Sequence, residues 1–285
     1  MSIVVGKTKI SVVGYVNSAP LAWGVLEGEQ REKFDPIFSM PAECADQLSS
    51  GSVDVGLIPS IEYQQISGTR IIPGAAVASL SRVRSVILVS TLPLWRIRTV
   101  SHDSASRASV ALAKIVLQKT YGTRAEFRPA EPNVERMLAD SDAALLIGDI
   151  ALRYRAANML PNAEEQKGLI REGAEPLQVF DLMERWQNLT GLPFVFAFWA
   201  ARPSFRDKAV IEELISSRDY GLKNLEAIAG RYAEKIQLDK SYILQYLEKN
   251  MYYHMNADCV ESLRVFYELA AETEIIKSAR VIRFL

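Results

Sequence analysis

Two cysteines and two histidines in 285 residues leave this chain almost without the side chains that hold metals or form disulfides. Cys44 and Cys259 lie far apart in sequence, each on a helical pattern, and read as small buried hydrophobes rather than as a bridge or a metal pair. His102 and His254 complete no ligand spacing, so no metal and no cofactor is expected. Charge of one sign is also missing. Lys and Arg number 33 against 34 Asp and Glu, a net charge of -1, which gives no bulk attraction to nucleic acid or a membrane surface. An anionic ligand would have to be caught locally. The opening MSIVVGKTKISVVGY passes directly into a strand pattern, with no basic leader, long apolar core or small-residue cleavage site, and so reads as cytoplasmic. No internal repeat or low-complexity tract is visible, and nothing in the pattern fixes an oligomeric state.

What remains is a globular composition, 49% hydrophobic and 24% charged, on a chain longer than one core usually serves. Strand and helix signals alternate, which predicts an α/β fold. Strands are expected near 9–14, 35–39, 53–57, 70–79 and 83–90, with helices opening near Pro20 and covering Pro41 to Ser49. The pattern changes unit after Leu92, where a long helix from about Ser104 to Thr120 is followed by helix and strand up to Ile147. The apolar strand from Phe194 to Ala200 reads as the return crossing. Two lobes follow, residues 1–92 with 195–285 and residues 93–194, hinged near Leu92 and at Phe194 to Ala200. Residues 160–178 read as a polar surface insertion, and the last 85 or so residues as a helical tail packed on the first lobe.

Several strands end in short polar turns. GYVNSAPL puts Asn17 and Ser18 after a buried strand, at the end where open α/β sheets bind ligands. Ser60 follows VDVGLIP, SHDSASR places Ser101, Ser104, Ser106 and Arg107 at the start of the long helix, and Gly148-Asp149 closes the strand Ala143 to Ile147. Taken singly, each reads as readily as a helix cap, since every helix start has unpaired N–H groups and favours short polar residues. Together they offer hydroxyls and helix ends suited to a carboxylate or phosphate, and few acids or bases. Arg82 and Arg84 flank Val83 in the apolar run Val83 to Ser90, where one can face a cleft and the other solvent; Ser85 is a polar residue in the same run that needs a reason. His102 beside a helix start and His254 between two helices read as solvated or structural. Trp23, Trp95, Trp186 and Trp199 are spaced for packing.

GYVNSAPL, DVGLIPSIEY, VRSVILVS, SHDSASRASVALAKIVL, LIGDIAL and DLMERWQNLTGLPFVFAFWAARP stand in the order and spacing of the MqnA family, and the sequence resembles it over nearly its whole length. That family comprises the chorismate dehydratases of the futalosine route to menaquinone. The resemblance implies a type II periplasmic-binding-protein-like fold: two α/β lobes of mixed sheets flanked by helices, joined by two crossings, with the ligand between them. It implies loss of water from chorismate to give 3-[(1-carboxyvinyl)oxy]benzoate, a small-molecule substrate and no nucleic-acid or membrane partner. Matching positions imply that Asn17 and Ser85 touch the reacting part of the substrate. Ser18, Ser60, Arg84, Ser104, Ser106, Arg107, Gly148 and Asp149 would bind the rest. In SHDSASR the family commonly has a threonine among the serines, whereas this chain has Ala105 and Ser106. No matched motif supplies an obvious base, so the enolpyruvyl carboxylate of the substrate is the alternative proton acceptor. Two rival readings are a cytosolic carboxylate-binding protein without chemistry and the related 6-hydroxy-1,4-naphthoate synthase. GYVNSAP and the lack of a base histidine in a matched motif argue against the second.

Overall fold

A computed structural model describes residues 7–158 and 177–285 of the chain. The polar insertion expected at 160–178 lies almost wholly outside the described residues. Alternating apolar residues build a first sheet of six strands in the order β2-β1-β3-β10-β4-β11 when extended at one end by β11. Here β1 is Thr8–Val13, β2 Phe34–Ser39, β3 Val55–Pro59, β4 Arg70–Ser79, β10 Phe194–Ala201 and β11 Tyr252–Met255. β1 runs parallel to β2 and β3, while β10 is inserted antiparallel between β3 and β4. A second sheet repeats that plan in the order β7-β6-β8-β5-β9, from β5 Val86–Ser90, β6 Thr99–His102, β7 Glu126–Pro129, β8 Ala143–Ile147 and β9 Gln178–Asp181. Its inserted antiparallel strand is β5. In each lobe the strand that breaks the parallel run is therefore the one arriving from the other lobe. This is the expected two-lobed α/β fold with mixed sheets.

The pairing of β5 moves the first crossing. Val86–Ser90, assigned from sequence to the first lobe, pairs with β8 and β9 of the second sheet, so the chain changes sheets between Ser79 and Val86 and not near Leu92. Val83 to Ser85 are not strand at all: Arg84 has a left-handed φ of 64°, and Asp181 accepts hydrogen bonds from the N–H groups of Val83 (3.2 Å) and Arg84 (2.8 Å). The same carboxylate caps helix α6, Leu182–Thr190, by accepting from Met183 N at 3.1 Å. The return crossing is the Gly-Leu-Pro turn before β10. There Trp186, Phe194 and Phe266 meet edge to face, with centroids 4.9 to 6.0 Å apart. Trp186 and Trp199 are fully buried, but Trp95 is 60% exposed, so packing does not account for it. Cys44 and Cys259 are buried free thiols.

The C-terminal part is helical, as expected, except that the segment holding His254 forms β11 on the edge of the first sheet. Helices α7 (Ala209–Lys223), α8 (Leu225–Ile236), α9 (Lys240–Lys249) and α10 (Ala257–Glu272) cover the lobe. α7 lies closely against α1, Ala19–Glu27, which starts directly after Asn17-Ser18. Ser217 of α7 donates to Leu21 O at 2.8 Å and accepts from Val25 N at 3.2 Å. At Gly221 a Cβ would lie 2.7 Å from the Pro20 carbonyl carbon and closer still to its oxygen. Helix packing there depends on a missing side chain.

Gly221→Ala is therefore expected to destabilise the fold by about 2 kcal/mol through overpacking, despite the better helix propensity of alanine. Gly230→Ala on α8, where the nearest atom is the flexible end of Lys240 at 4.0 Å, should gain up to about 1 kcal/mol. Urea denaturation of the two variants measures both signs.

Candidate functional site

The parallel strands β1, β3, β6 and β8 all end at the cleft, and each is followed by a helix or helical turn. These four carboxyl ends carry the four polar turns read from the sequence. After β1 comes a 3-10 turn, Val16–Ser18; after β3 another, Ser60–Gln64. After β6 the chain turns through Asp103 into α3, Arg107–Tyr121, and β8 runs straight into α5, Gly148–Asn158. A cavity opens between these ends and β10 and is partly continuous with solvent.

Its walls are mostly apolar: Val13, Leu57, Val77, Val86, Ile147 and Phe196. Against them stand the Asn17 amide, Tyr15, and the first turn of α3, Ser106 to Ser109. The N–H groups of Arg107, Ala108 and Ser109 precede the first intrahelical bond, Val110 N to Ser106 O at 2.8 Å, so they have no intrahelical acceptor, and the positive end of the helix dipole lies at the cavity wall. Among the described residues lining it, Tyr15 and Arg107 alone are ionisable. Burial, then the Asp103 and Asp149 carboxylates, push the Tyr15 phenol well above its ordinary value, which keeps it a neutral donor. Its buried hydroxyl has no partner. An apolar cavity with helix ends and neutral donors suits a mainly hydrocarbon ligand that carries carboxylates.

Of the residues expected from sequence, Asn17, Ser18, Ser106, Arg107 and Gly148 line the cavity. Ser18 spends its hydroxyl on Val13 O (3.0 Å) and Tyr15 O (3.1 Å), and Ser106 donates to Asp103 O, so both shape the turns that carry their neighbours. Arg107 reaches across the lobes to Asp46 and Glu62, each at 3.0 Å, an ion triad that leaves little of its charge for a ligand. Burial raises the Glu62 carboxyl, and Arg107 opposes that rise. Ser85 is fully buried and does not line the cavity, though its neighbour Val86 does; its carbonyl accepts from Gly148 N at 2.8 Å and its hydroxyl from Tyr246 at 2.7 Å. Ser60 is buried with an unpartnered hydroxyl but lies off the cavity wall. Ser104 is exposed and borders a neighbouring groove with His102. Arg84 points to α9, 3.2 Å from Gln245 and over the Tyr242 ring, and does not line the cavity.

Gly148 and Asp149 close the seam between lobes. Gly148 has φ 56°, and a Cβ there would lie 2.8 Å from the Tyr15 ring, so only glycine lets β1 and β8 ends approach this closely. Asp149 accepts from Val16 N at 3.1 Å. Sequence reasoning missed Tyr15, Ser109, Phe196 and Tyr246. Ser109 sits three residues after Ser106, inside the segment SHDSASRASVALAKIVL but not singled out in it. Tyr246 shares the apolar stripe of α9 with Ile243 and Leu247, and a phenol on such a stripe needs a polar partner inside.

Three comparisons place these features. The family model described as "Menaquinone biosynthesis" matches residues 8–272. A chorismate dehydratase from Thermus thermophilus is 33% identical over 257 residues, covering 89% of this chain and 92% of the relative. Among solved structures, an Archaeoglobus fulgidus protein aligns with a TM-score of 0.70 at 18% identity, covering 95% of this chain and 98% of the other. The periplasmic aliphatic sulphonate binding protein SsuA from Escherichia coli aligns with 0.63 at 16%, covering 96% and 89%. The last two are likenesses of fold, and they bear out the binding-protein architecture.

Burial raises the Asp149 carboxyl to about 6, opposed by its bond from Val16 and by Lys235 and Arg153. Between its ordinary value near 4 and about 6 the folded protein thus holds a proton that the unfolded chain has lost, and stability falls as pH rises through that window. Asp149→Asn should remove that fall, on the order of 2 kcal/mol. Denaturation midpoints at pH 4.5, 5.5 and 7 test it; equal pH slopes for both proteins would count against the assignment.

Proposed function

The chain belongs to the menaquinone-biosynthesis family, and from that membership we propose how it works as a chorismate dehydratase, a hydro-lyase giving 3-[(1-carboxyvinyl)oxy]benzoate. The observation that carries the mechanism is a cavity lined by an amide and the first turn of a helix, with no carboxylate or imidazole among the described residues of its wall. The substrate's ring C3–H is vinylogous to its ring carboxylate. Removing that proton spreads charge to the carboxylate, the C4–O bond breaks, and the ring becomes aromatic. Overall one C–H and one C–O bond are lost and one water is formed. Aromaticity drives the reaction, so the protein has to orient a rigid dianion, stabilise the growing charge and keep bulk water out.

In this reading the first turn of α3 receives the ring carboxylate, where its N–H groups and dipole oppose the charge that grows there. Asn17 hydrogen-bonds the reacting part, and Val86, Ile147 and Phe196 exclude water; Ser85, which does not line the cavity but precedes Val86 on its wall, is assigned the departing hydroxyl from the family match alone. Tyr15 donates its free hydroxyl to a substrate oxygen. The substrate's own enolpyruvyl carboxylate takes the C3 proton. Arg107 works through the Asp46 and Glu62 contacts that hold the lobes together. Among the described residues no helix is long and apolar enough to cross a membrane, and we place the reaction in the cytoplasm.

Loss of the cyclohexadiene absorbance of chorismate, with product identified by mass, tests the activity; bound but unchanged chorismate would favour a binding protein. Asn17→Ala should lower kcat by about 10²-fold and Ser85→Ala by about tenfold or more, the range for one charge-stabilising donor. Near wild-type turnover in both would remove this site assignment. Asp149→Asn should keep turnover within about tenfold; a far larger loss would make Asp149 the base in place of the substrate.

A further inference from the structure

Tyr246 lies in α9, far from the family-like segments in sequence, yet its side chain is fully buried and its hydroxyl donates to Ser85 Oγ at 2.7 Å. One phenol of the C-terminal helices thus holds Ser85, at the crossing into the second sheet. We infer that Tyr246 is a positioning residue for the dehydration, holding the Ser85 hydroxyl in one orientation. A serine hydroxyl has a single proton. With its oxygen occupied by the Tyr246 donor, Ser85 has that proton free for another acceptor, which suits a role as donor to the departing hydroxyl.

Burial supports this division of labour. It pushes the Tyr246 phenol far above its ordinary value, so the group stays protonated and donates at every working pH. Tyr253 is a buried neighbour that lacks such a link: its hydroxyl has no partner. The pair therefore separates a positioning phenol from one that only fills the core.

The inference rests on the role given to Ser85, and a double-mutant cycle keeps the two apart. Wild type, Ser85→Ala, Tyr246→Phe and the double variant are compared for kcat, KM with chorismate and melting temperature, with Tyr253→Phe as control. Tyr246→Phe should lower kcat by about tenfold at a KM within about twofold, a loss typical of a displaced catalytic group. In the Ser85→Ala background it should add little, and Tyr253→Phe should keep wild-type kcat. A Tyr246→Phe enzyme with full kcat, or one that loses the same factor in both backgrounds, overturns the proposal. Full turnover by Ser85→Ala would instead overturn the site reading beneath it. If Tyr246→Phe does not fold, 3,5-difluorotyrosine at position 246 retains ring and hydroxyl while strengthening the donor. A kcat changed by more than about twofold at constant KM then supports the inference, and an unchanged kcat overturns it.

Discussion

The contact of Tyr15 and Val16 with the start of α5 is the joint on which the cavity depends. The Tyr15 ring lies where a side chain on residue 148 would have to stand, Val16 N–H is held by Asp149, and Gly148 N–H is held by the carbonyl of Ser85. These three links tie the end of β1 to the end of β8 and to the first crossing. Without them, the polar turns would form two half-sites on separate lobes. Close approach here needs a residue with no Cβ and a positive φ, and Gly148 supplies both.

Electrostatics then follow from geometry. The cavity is apolar enough to strengthen any charge interaction inside it, yet its polar groups are neutral or already paired. Helix N–H groups supply positive potential without a counter-ion that would need desolvation, and they need no reorganisation as charge grows on a carboxylate. Arg107 illustrates the alternative: a full charge at the same helix start, committed to Asp46 and Glu62. Its guanidinium is spent on joining α2, Pro41–Ser50, and the turn after β3 to the second lobe. An elimination that runs on substrate aromatisation is served by such a surface, whereas a reaction needing a strong protein base is not.

What could be read from sequence was local. The ends of β1, β3, β6 and β8 were legible because a buried strand followed by Gly, Ser, Asn or Asp is a short-range signal, and all four ends do meet at the cleft. Long-range pairing was not legible. VRSVILVS reads as one strand, but Arg84 turns left-handed and only Val86 onward pairs, in the other sheet, because Asp181 from a distant segment holds Val83 and Arg84. Arg84 and Arg107 were both read as ligand groups; their partners, Gln245 and the Asp46–Glu62 pair, lie about 160 and 45 to 61 residues away. The tail read as packing, and it does pack. It also brings Tyr246 to Ser85, which periodicity marks only as a phenol on an apolar stripe.

The central claim is that the four strand ends bind one aromatic dicarboxylate between Asn17 and the first turn of α3. A crystal structure with 3-[(1-carboxyvinyl)oxy]benzoate bound tests it most directly. The account predicts a ring against Val86, Ile147 and Phe196, one carboxylate on the N–H groups of Ala108 and Ser109, and the Asn17 amide within hydrogen-bond distance of the ligand. A ligand seated in the neighbouring groove by His102 and Ser104, or held away from Asn17 by Arg84, would contradict it.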